Sequence, residues 1–148
     1  MTTTIIRTAE PKDLGEMMSF LGQAQVSTKG LAEQIDHFIV MEDLDNNLLG
    51  TLGIQRVEQD GLLRSLVISP KAEQTTILDM FQQILKLAKE KELKRLYLAT
   101  NKIVSIEFFT LLGFRQKDLV DIPSYILETE HLEESLQLDE TVVMEFVI

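Results

Sequence analysis

One basic residue stands out by its setting. Arg64 lies inside the strand-like run Leu62 to Ser69, and strand alternation puts it on the same face as Leu62 and Leu66. A guanidinium on an otherwise apolar face needs a partner, and it can clamp a carboxylate with two parallel hydrogen bonds. Other chemistry-bearing residues are sparse. The chain has no cysteine, two histidines (His37 and His131) and two tyrosines (Tyr97 and Tyr125). Lack of cysteine removes disulfides, thiolate metal sites and thiol nucleophiles together. Two histidines argue against a histidine-built metal site, so no metal is expected. His37 heads a strand and reads as a packed or rim residue. His131 sits among Glu128, Glu130, Glu133 and Glu134 and reads as part of a solvated face.

The 148 residues carry 24 acidic and 14 basic side chains, a formal net charge of -10. That balance argues against duplex nucleic acid or an anionic membrane as partner, since both attract basic faces. With 45 % hydrophobic and 26 % charged residues, the composition is that of an ordinary soluble chain. A chain this long buries about 70 % of its unfolded surface, enough for one core and too little for two. Residues 1-148 are therefore expected to form a single domain. No apolar run approaches the roughly 20 residues that span a bilayer. Met1-Thr2-Thr3-Thr4 lacks the basic and apolar regions of a signal peptide, so the expected location is the cytoplasm.

The elements that must position these residues can be read from periodicity and turn chemistry. Thr3 to Arg7 is β-branched and ends at Glu10-Pro11, a strand signal. Pro11 and Asp13 open a helix whose Leu14, Met17, Met18 and Leu21 share a face. A shorter helix over Leu31 to Ile35 comes after Gly30. His37 to Met41 reads as a strand buried on both faces. Asp45-Asn46-Asn47 is a turn, Leu48 to Val57 a strand, and Gln59-Asp60-Gly61 a hairpin turn, Asp-Gly being a strong hairpin signal. Leu62 to Ser69 is the partner strand, stopped by Pro70. The spacing of Ile77, Met80, Phe81, Ile84, Leu85 and Ala88 predicts a helix over Thr75 to Lys91. Leu96 to Ala99 is a strand, and Ile103 to Leu112 a helix closed by Gly113. Phe114-Arg115-Gln116 starts a strand, Ile122 to Leu132 is short helical or irregular, and Thr141 to Val147 is the last strand. An antiparallel start joined to a β-α-β crossover from Leu62 through Ala99 makes the middle strands parallel. The class is α/β (α+β), a mixed sheet of about six to seven strands with helices on both faces.

Leu62-Leu63-Arg64-Ser65-Leu66-Val67-Ile68-Ser69-Pro70, the long helix after it, and Phe108-Phe109-Thr110-Leu111-Leu112-Gly113-Phe114 resemble the GNAT (GCN5-related N-acetyltransferase) superfamily. The resemblance covers nearly the whole chain. In that family a strand ending in V-x-P leads through a loop patterned R/Q-x-x-G-x-G/A into a helix, and the phosphates of acetyl-CoA sit on the loop amides. A later F-[FY]-x-x-L-G-F segment closes the cofactor side. Gly61 to Leu66, the Phe-Phe pair, Asp121-Ile122-Pro123-Ser124-Tyr125-Ile126 and Val142-Val143-Met144 look like one branch of small amino-acid N-acetyltransferases. That branch includes arsenic-resistance enzymes that acetylate amino-acid-like toxins. The resemblance implies acyl transfer from acetyl-CoA to the amine of a small amino compound. It places backbone groups around Leu66, Val67 and Ile68 along the pantetheine arm, and Gln74, Thr75, Thr76, Ile77 and Leu78 at the phosphates. Phe109 falls on the cofactor side, and Arg64 on the strand lining the cleft, where it could clamp an acceptor carboxylate.

The loop departs from the pattern. Aligned on Pro70, the family's R-G-x-G-x-G falls on Glu73-Gln74-Thr75-Thr76-Ile77-Leu78. Glu73 replaces the basic or amide residue, Gln74 and Thr76 replace glycines, and Leu78 replaces the last small residue. A pyrophosphate binds a helix N-terminus because N–H groups and the positive dipole end point at it, and glycines allow close backbone approach. Here side chains crowd the approach and Glu73 brings a charge of the wrong sign. Two unit charges about 5 Å apart repel by roughly 3 kcal/mol at an effective dielectric near 20, before solvent screening. What remains for an anion is the helix N-terminus, with its amides from Thr75 to Leu78, and the hydroxyls of Thr75 and Thr76. The plainer alternative is that Thr75 N-caps the helix and Glu73 stabilises its dipole.

The family's chemistry is direct attack of an amine on the thioester, helped by a base and by a tyrosine that protonates the departing thiolate. That tyrosine's position is Phe109, which has no proton to give. Tyr125 could approach the acceptor, though a packing role is the simpler reading, and Tyr97 reads as core. Glu58 and Glu107 are the carboxylate candidates for the base, each more simply a solvated surface acid. Lys102 holds the place of the family's frequent helix-start asparagine, with Asn101 one residue earlier. The acid-rich Glu128 to Glu140 is a charged surface segment. Two functions stay open: an acetyl-CoA-dependent N-acetyltransferase for a small-molecule amine, or a non-catalytic module that has lost the cofactor and serves a regulatory or binding role. Pairing into a homodimer is open to either.

Overall fold

The computed structural model describes residues 4–73 and 75–148. The Thr3 strand start and the Gln74 cofactor contact fall outside the described residues. The elements run β1 (Thr4–Thr8), a 3-10 turn (Pro11–Asp13), α1 (Leu14–Gln23), a 3-10 turn (Ile35–His37), β2 (Phe38–Asp43), β3 (Leu48–Val57) and β4 (Asp60–Ile68). After these come α2 (Thr75–Glu90), β5 (Arg95–Thr100), α3 (Ile103–Leu112), β6 (Arg115–Lys117), a 3-10 turn (Leu119–Asp121), α4 (Ser124–Leu127), α5 (Glu130–Leu136) and β7 (Val142–Val147). The strands form one seven-stranded sheet in the order β1-β2-β3-β4-β5-β7-β6. β4 and β5 are parallel, as the crossover through α2 requires, while β1–β2, β2–β3, β5–β7 and β6–β7 are antiparallel. This is the mixed α/β sheet expected from the element order. No helix among the described residues is long and apolar enough to cross a membrane.

Two compact units are distinguishable. The first runs to Gln55 and resumes over Arg64–Lys91; the second is Arg56–Leu63 with Glu92–Ile148. In the first, Met17 and Leu21 of α1 pack with Ala9, Leu31, Phe38 and Val40. Met18 is 47 % exposed, so the buried stripe of α1 is narrower than its apolar residues suggest. Leu31 to Ile35 is not an α-helix. The segment makes separate turns, with Leu31 N–H donating to Thr28 O and Gln34 N–H to Gly30 O, before the 3-10 turn at Ile35–His37. Gly30 sits at φ 79°, and a few residues with one buried side chain cannot repay helix nucleation. Along α2 the buried face is Thr76, Met80, Phe81, Ile84, Leu87 and Ala88, with Leu87 taking the place expected of Leu85.

The β3–β4 turn also differs from expectation. Its residues are Glu58 and Gln59, with Glu58 at φ 56°, and Asp60-Gly61 already belongs to β4. The reason is side-chain burial. Asp60 has no exposed surface, and its carboxylate accepts from Arg95 Nε and Nη2 at 3.2 and 3.1 Å. A buried, doubly bonded carboxylate outweighs a local turn preference. The second unit's core is Leu62, Tyr97, Ile122, Ile126, Leu132 and Val143. Gly113 ends α3 at φ 111°, a left-handed position that a side chain would strain.

Gly53 faces Phe38 across β2 and β3, and a Cβ there would fall 2.3 Å from Phe38 Cε2. The ring thus occupies the space a side chain would need. Gly53→Ala is expected to destabilise the protein by about 1–3 kcal/mol through overpacking, and adding Phe38→Leu should recover part of that loss. Urea unfolding of the two single variants and the double variant measures the coupling.

Candidate functional site

In the first unit the sequence-predicted residues lie on β4, the turn after it, and the start of α2. β4 does not alternate simply. Ser65 sits at φ 58°, a left-handed residue inside a strand, the backbone conformation of a β-bulge, and it interrupts the regular alternation of β4. Leu62 is fully buried whereas Leu66 is 40 % exposed, so the shared apolar face expected for Leu62, Arg64 and Leu66 is broken at the bulge. Arg64 is half-buried; its Nε lies 3.4 Å from Ser65 Oγ and its Nη2 3.5 Å from Ser27 O, both long for hydrogen bonds. Val67 and Ile68, expected along the pantetheine arm with Leu66, are half-buried.

A compact turn joins β4 to α2, with Ala72 N–H donating to Ser69 O and Lys71 N–H to Ser69 Oγ. Thr75 is the first residue of α2 rather than its cap, and it is exposed. Thr76 is buried, and both its N–H and its hydroxyl donate to Glu73 O. The Thr76 hydroxyl is therefore turned back on the chain, which narrows the polar groups offered to an anion. Ile77 is half-buried and Leu78 41 % exposed. His37 stands on the rim of this unit, its Nδ1 2.9 Å from Asp36 Oδ1, and Lys91 Nζ lies 3.3 Å from Asp36 Oδ2. These contacts, His37 first, hold the Asp36 carboxyl below its usual range.

In the second unit Glu58 is exposed on the hairpin turn, its carbonyl accepting from Arg56 Nε at 3.2 Å, and Glu107 is exposed on α3. Phe109 is buried in edge-to-face contact with Phe108 and Phe114, at centroid distances of 5.3 and 5.4 Å. Asn101 and Lys102 are exposed at the start of α3. His131 is half-buried on α5. Among the described residues no three His, Cys, Asp or Glu side chains gather as metal ligands.

Both tyrosines hold carboxylates. The Tyr125 hydroxyl donates to Asp60 Oδ2 at 2.5 Å and receives Arg95 Nη2 at 3.3 Å. Tyr97 is fully buried and donates to Glu145 Oε2 at 2.7 Å, with the Arg95 guanidinium 5.9 Å from its ring centroid. The Asp60 acceptor, then burial, raises the Tyr125 phenol above its ordinary range; for Tyr97 burial comes first and Glu145 second. Each proton is already committed to a carboxylate. The sequence gives Asp60 only as a turn residue and does not single out Arg95, Ser65 or Thr51, whose hydroxyl donates to Ser65 O at 2.8 Å. Nothing in a serine or threonine within a leucine-rich run marks a left-handed position.

No model of a described protein family matches the chain. The uncharacterized protein YwlB of Bacillus subtilis (strain 168) is 36 % identical over 140 residues, 94 % of each chain. The chain belongs to the YwlB family. Among solved structures, Rv2747 of Mycobacterium tuberculosis, in complex with CoA, superposes with TM-score 0.77 at 18 % identity, over 97 % of this chain and 99 % of that one. An acetyltransferase of the GNAT family from Staphylococcus aureus Mu50 gives 0.75 at 18 % identity, over 98 % and 99 %. N-acetylglutamate synthase of Neisseria gonorrhoeae, complexed with coenzyme A and N-acetyl-glutamate, gives 0.74 at 19 % identity over 99 % of this chain. This chain spans 35 % of that synthase chain. The fold of this YwlB relative is that of the GNAT acetyltransferases, as its motifs implied.

The raised phenols make a pH test direct. An unfolded tyrosine titrates near about 10, so stabilisation from these two groups is fully present below that pH and is lost as pH rises through their higher folded values. With two tyrosines and no tryptophan, phenolate absorbance reports these residues alone. Native protein should hold phenolate absorbance back above pH ~10 and release it together with unfolding, while protein in urea titrates normally. Native titration at the unfolded pH would contradict the two carboxylate contacts.

Proposed function

We propose that this chain is an acetyl-CoA-dependent N-acetyltransferase whose acceptor is a small amino compound bearing a carboxylate. The observation that carries the reading is the bulged β4: Ser65 in the left-handed region turns Leu66 outward on the strand that runs into α2. In the GNAT resemblance this stretch of backbone lines the pantetheine arm. The CoA held by two proteins of the same fold supports the donor. Arg64 adjoins the bulge, and a guanidinium there suits an acceptor carboxylate. The net charge of -10 favours a small molecule over nucleic acid as acceptor. In this reading the amine attacks the thioester carbonyl, the C–N bond forms as the C–S bond breaks, and the proton released by the nitrogen passes by way of water to the departing thiolate. Tyr97 and Tyr125 keep their protons on Glu145 and Asp60.

A second reading, a non-catalytic module, is favoured by one observation: Thr76 directs both its N–H and its hydroxyl at Glu73 O, at the place where the family's loop offers groups to phosphate. Calorimetric titration with acetyl-CoA, near neutral pH and at low salt, separates the two. The enzyme reading expects a micromolar dissociation constant, about -8 kcal/mol. No heat at millimolar ligand, from protein shown to be folded, would establish the module instead. Glu73→Arg reverses the charge beside the helix start and should tighten acetyl-CoA several-fold, with a smaller gain at high salt because the charges are screened. An unchanged affinity would remove Glu73 from the cofactor's surroundings.

A further inference from the structure

Ser65 is the most unusual backbone position on β4. A residue with a Cβ disfavours positive φ, where glycine is the ordinary occupant, and such a conformation persists only when its surroundings over-determine it. At φ 58° Ser65 is also 7 % exposed, so its peptide groups are largely out of water. A buried carbonyl without a donor is costly. Thr51 on β3, a side chain with no exposed surface, supplies a donor: its hydroxyl reaches Ser65 O at 2.8 Å. The flanks of the bulge are held as well. Beyond it, Ser69 N–H donates to Leu49 O at 2.7 Å. Next to Thr51, a Cβ on Gly50 would lie 3.0 Å from Ile68 Cδ1 and 3.2 Å from Met80 Sδ, so β3, the end of β4 and α2 are closely packed there. Between these anchors the Thr51 hydroxyl is the side-chain contact on the Ser65 carbonyl.

We propose that Thr51 is a positioning residue: its buried hydroxyl holds the Ser65 bulge, and the bulge sets the direction of Leu66, Val67 and Ile68 for an acyl donor. The inference rests on the acetyltransferase reading above. Without the hydroxyl, Ser65 O loses a buried donor and the residue is less firmly held at positive φ. A change of backbone direction at Ser65 would re-aim the donor-facing stretch that follows it.

Valine has threonine's shape without the donor, and serine keeps the donor. At a temperature where circular dichroism shows every variant folded, Thr51→Val should weaken acetyl-CoA binding at least about tenfold, and Thr51→Ser should stay within about threefold of the parent. Ser65→Gly in the Thr51→Val background should restore binding, because glycine holds positive φ without support, while thermal stability should return only in part, since the carbonyl still lacks the hydroxyl donor. A purely structural role for Thr51 would not give that split. If Thr51→Val fails to fold, Ser65→Val approaches the bulge from the other side, since a β-branched residue resists positive φ; it should show the same loss of affinity with Thr51 intact. Parent-like affinity in whichever of these variants folds, or no rescue by Ser65→Gly, overturns the role of Thr51 while leaving the acetyltransferase reading in place. A parent protein that binds no acetyl-CoA overturns both.

Discussion

The second unit is organised around a carboxylate that never meets water. Asp60 brings a negative charge into the beginning of β4, and removing it from solvent would be prohibitive without partners that are both charged and well aimed. Arg95, at the start of β5, and Tyr125, on α4, meet that need together. Two elements distant in sequence, β5 and α4, are thereby pinned to one side chain of β4, and β4 pairs with β5 beside it at Gly61 and Leu62. The same contact moves the hairpin turn back to Glu58-Gln59 and commits the Tyr125 proton. The Tyr125 hydroxyl, for which packing is the simpler reading of the sequence, is held at this carboxylate.

In the first unit the comparable constraint is backbone rather than charge. With Ser65 left-handed, β4 carries buried Leu62 and Leu63 before it and an outward Leu66 after it, ahead of half-buried Val67 and Ile68. The start of α2 is less accommodating to an anion than the family pattern suggests. Glu73 contributes a carbonyl that absorbs the Thr76 N–H and hydroxyl, as well as a side-chain charge. A donor held here would lean more on the strand and less on the phosphate loop than in proteins with the glycine pattern.

Much of this architecture is readable from residue order. β3 and α3 fall where the sequence places them because strong punctuation brackets them: Asp45-Asn46-Asn47, with Asn46 at φ 65°, before β3, and Gly113 after α3. α2 is legible from its period alone, even though Leu87 rather than Leu85 joins the buried face. The misread places have two causes. At Leu31 to Ile35 a short segment after left-handed Gly30 closes local turns instead of a helix, while at Asp60-Gly61 and Ser65 local preference is overridden by partners remote in sequence, Arg95 for Asp60 and Thr51 for Ser65. The candidate site suffers most from this. Arg64 is found on its strand, but its facing depends on a bulge that no residue type announces.

The contact between Thr51 and Ser65 also bears on how such a chain can change over generations. In the positioning role proposed for Thr51, the hydroxyl sets the direction of β4 only while residue 65 carries a Cβ, so the two positions are coupled for that direction even though the carbonyl keeps its need for a donor. A lineage that first acquires glycine at 65 can afterwards drift at 51 with little effect on the bulge. One that loses the hydroxyl first must pass through a strained intermediate. The order of substitution, rather than the final pair of residues, decides which neighbouring sequences are reachable.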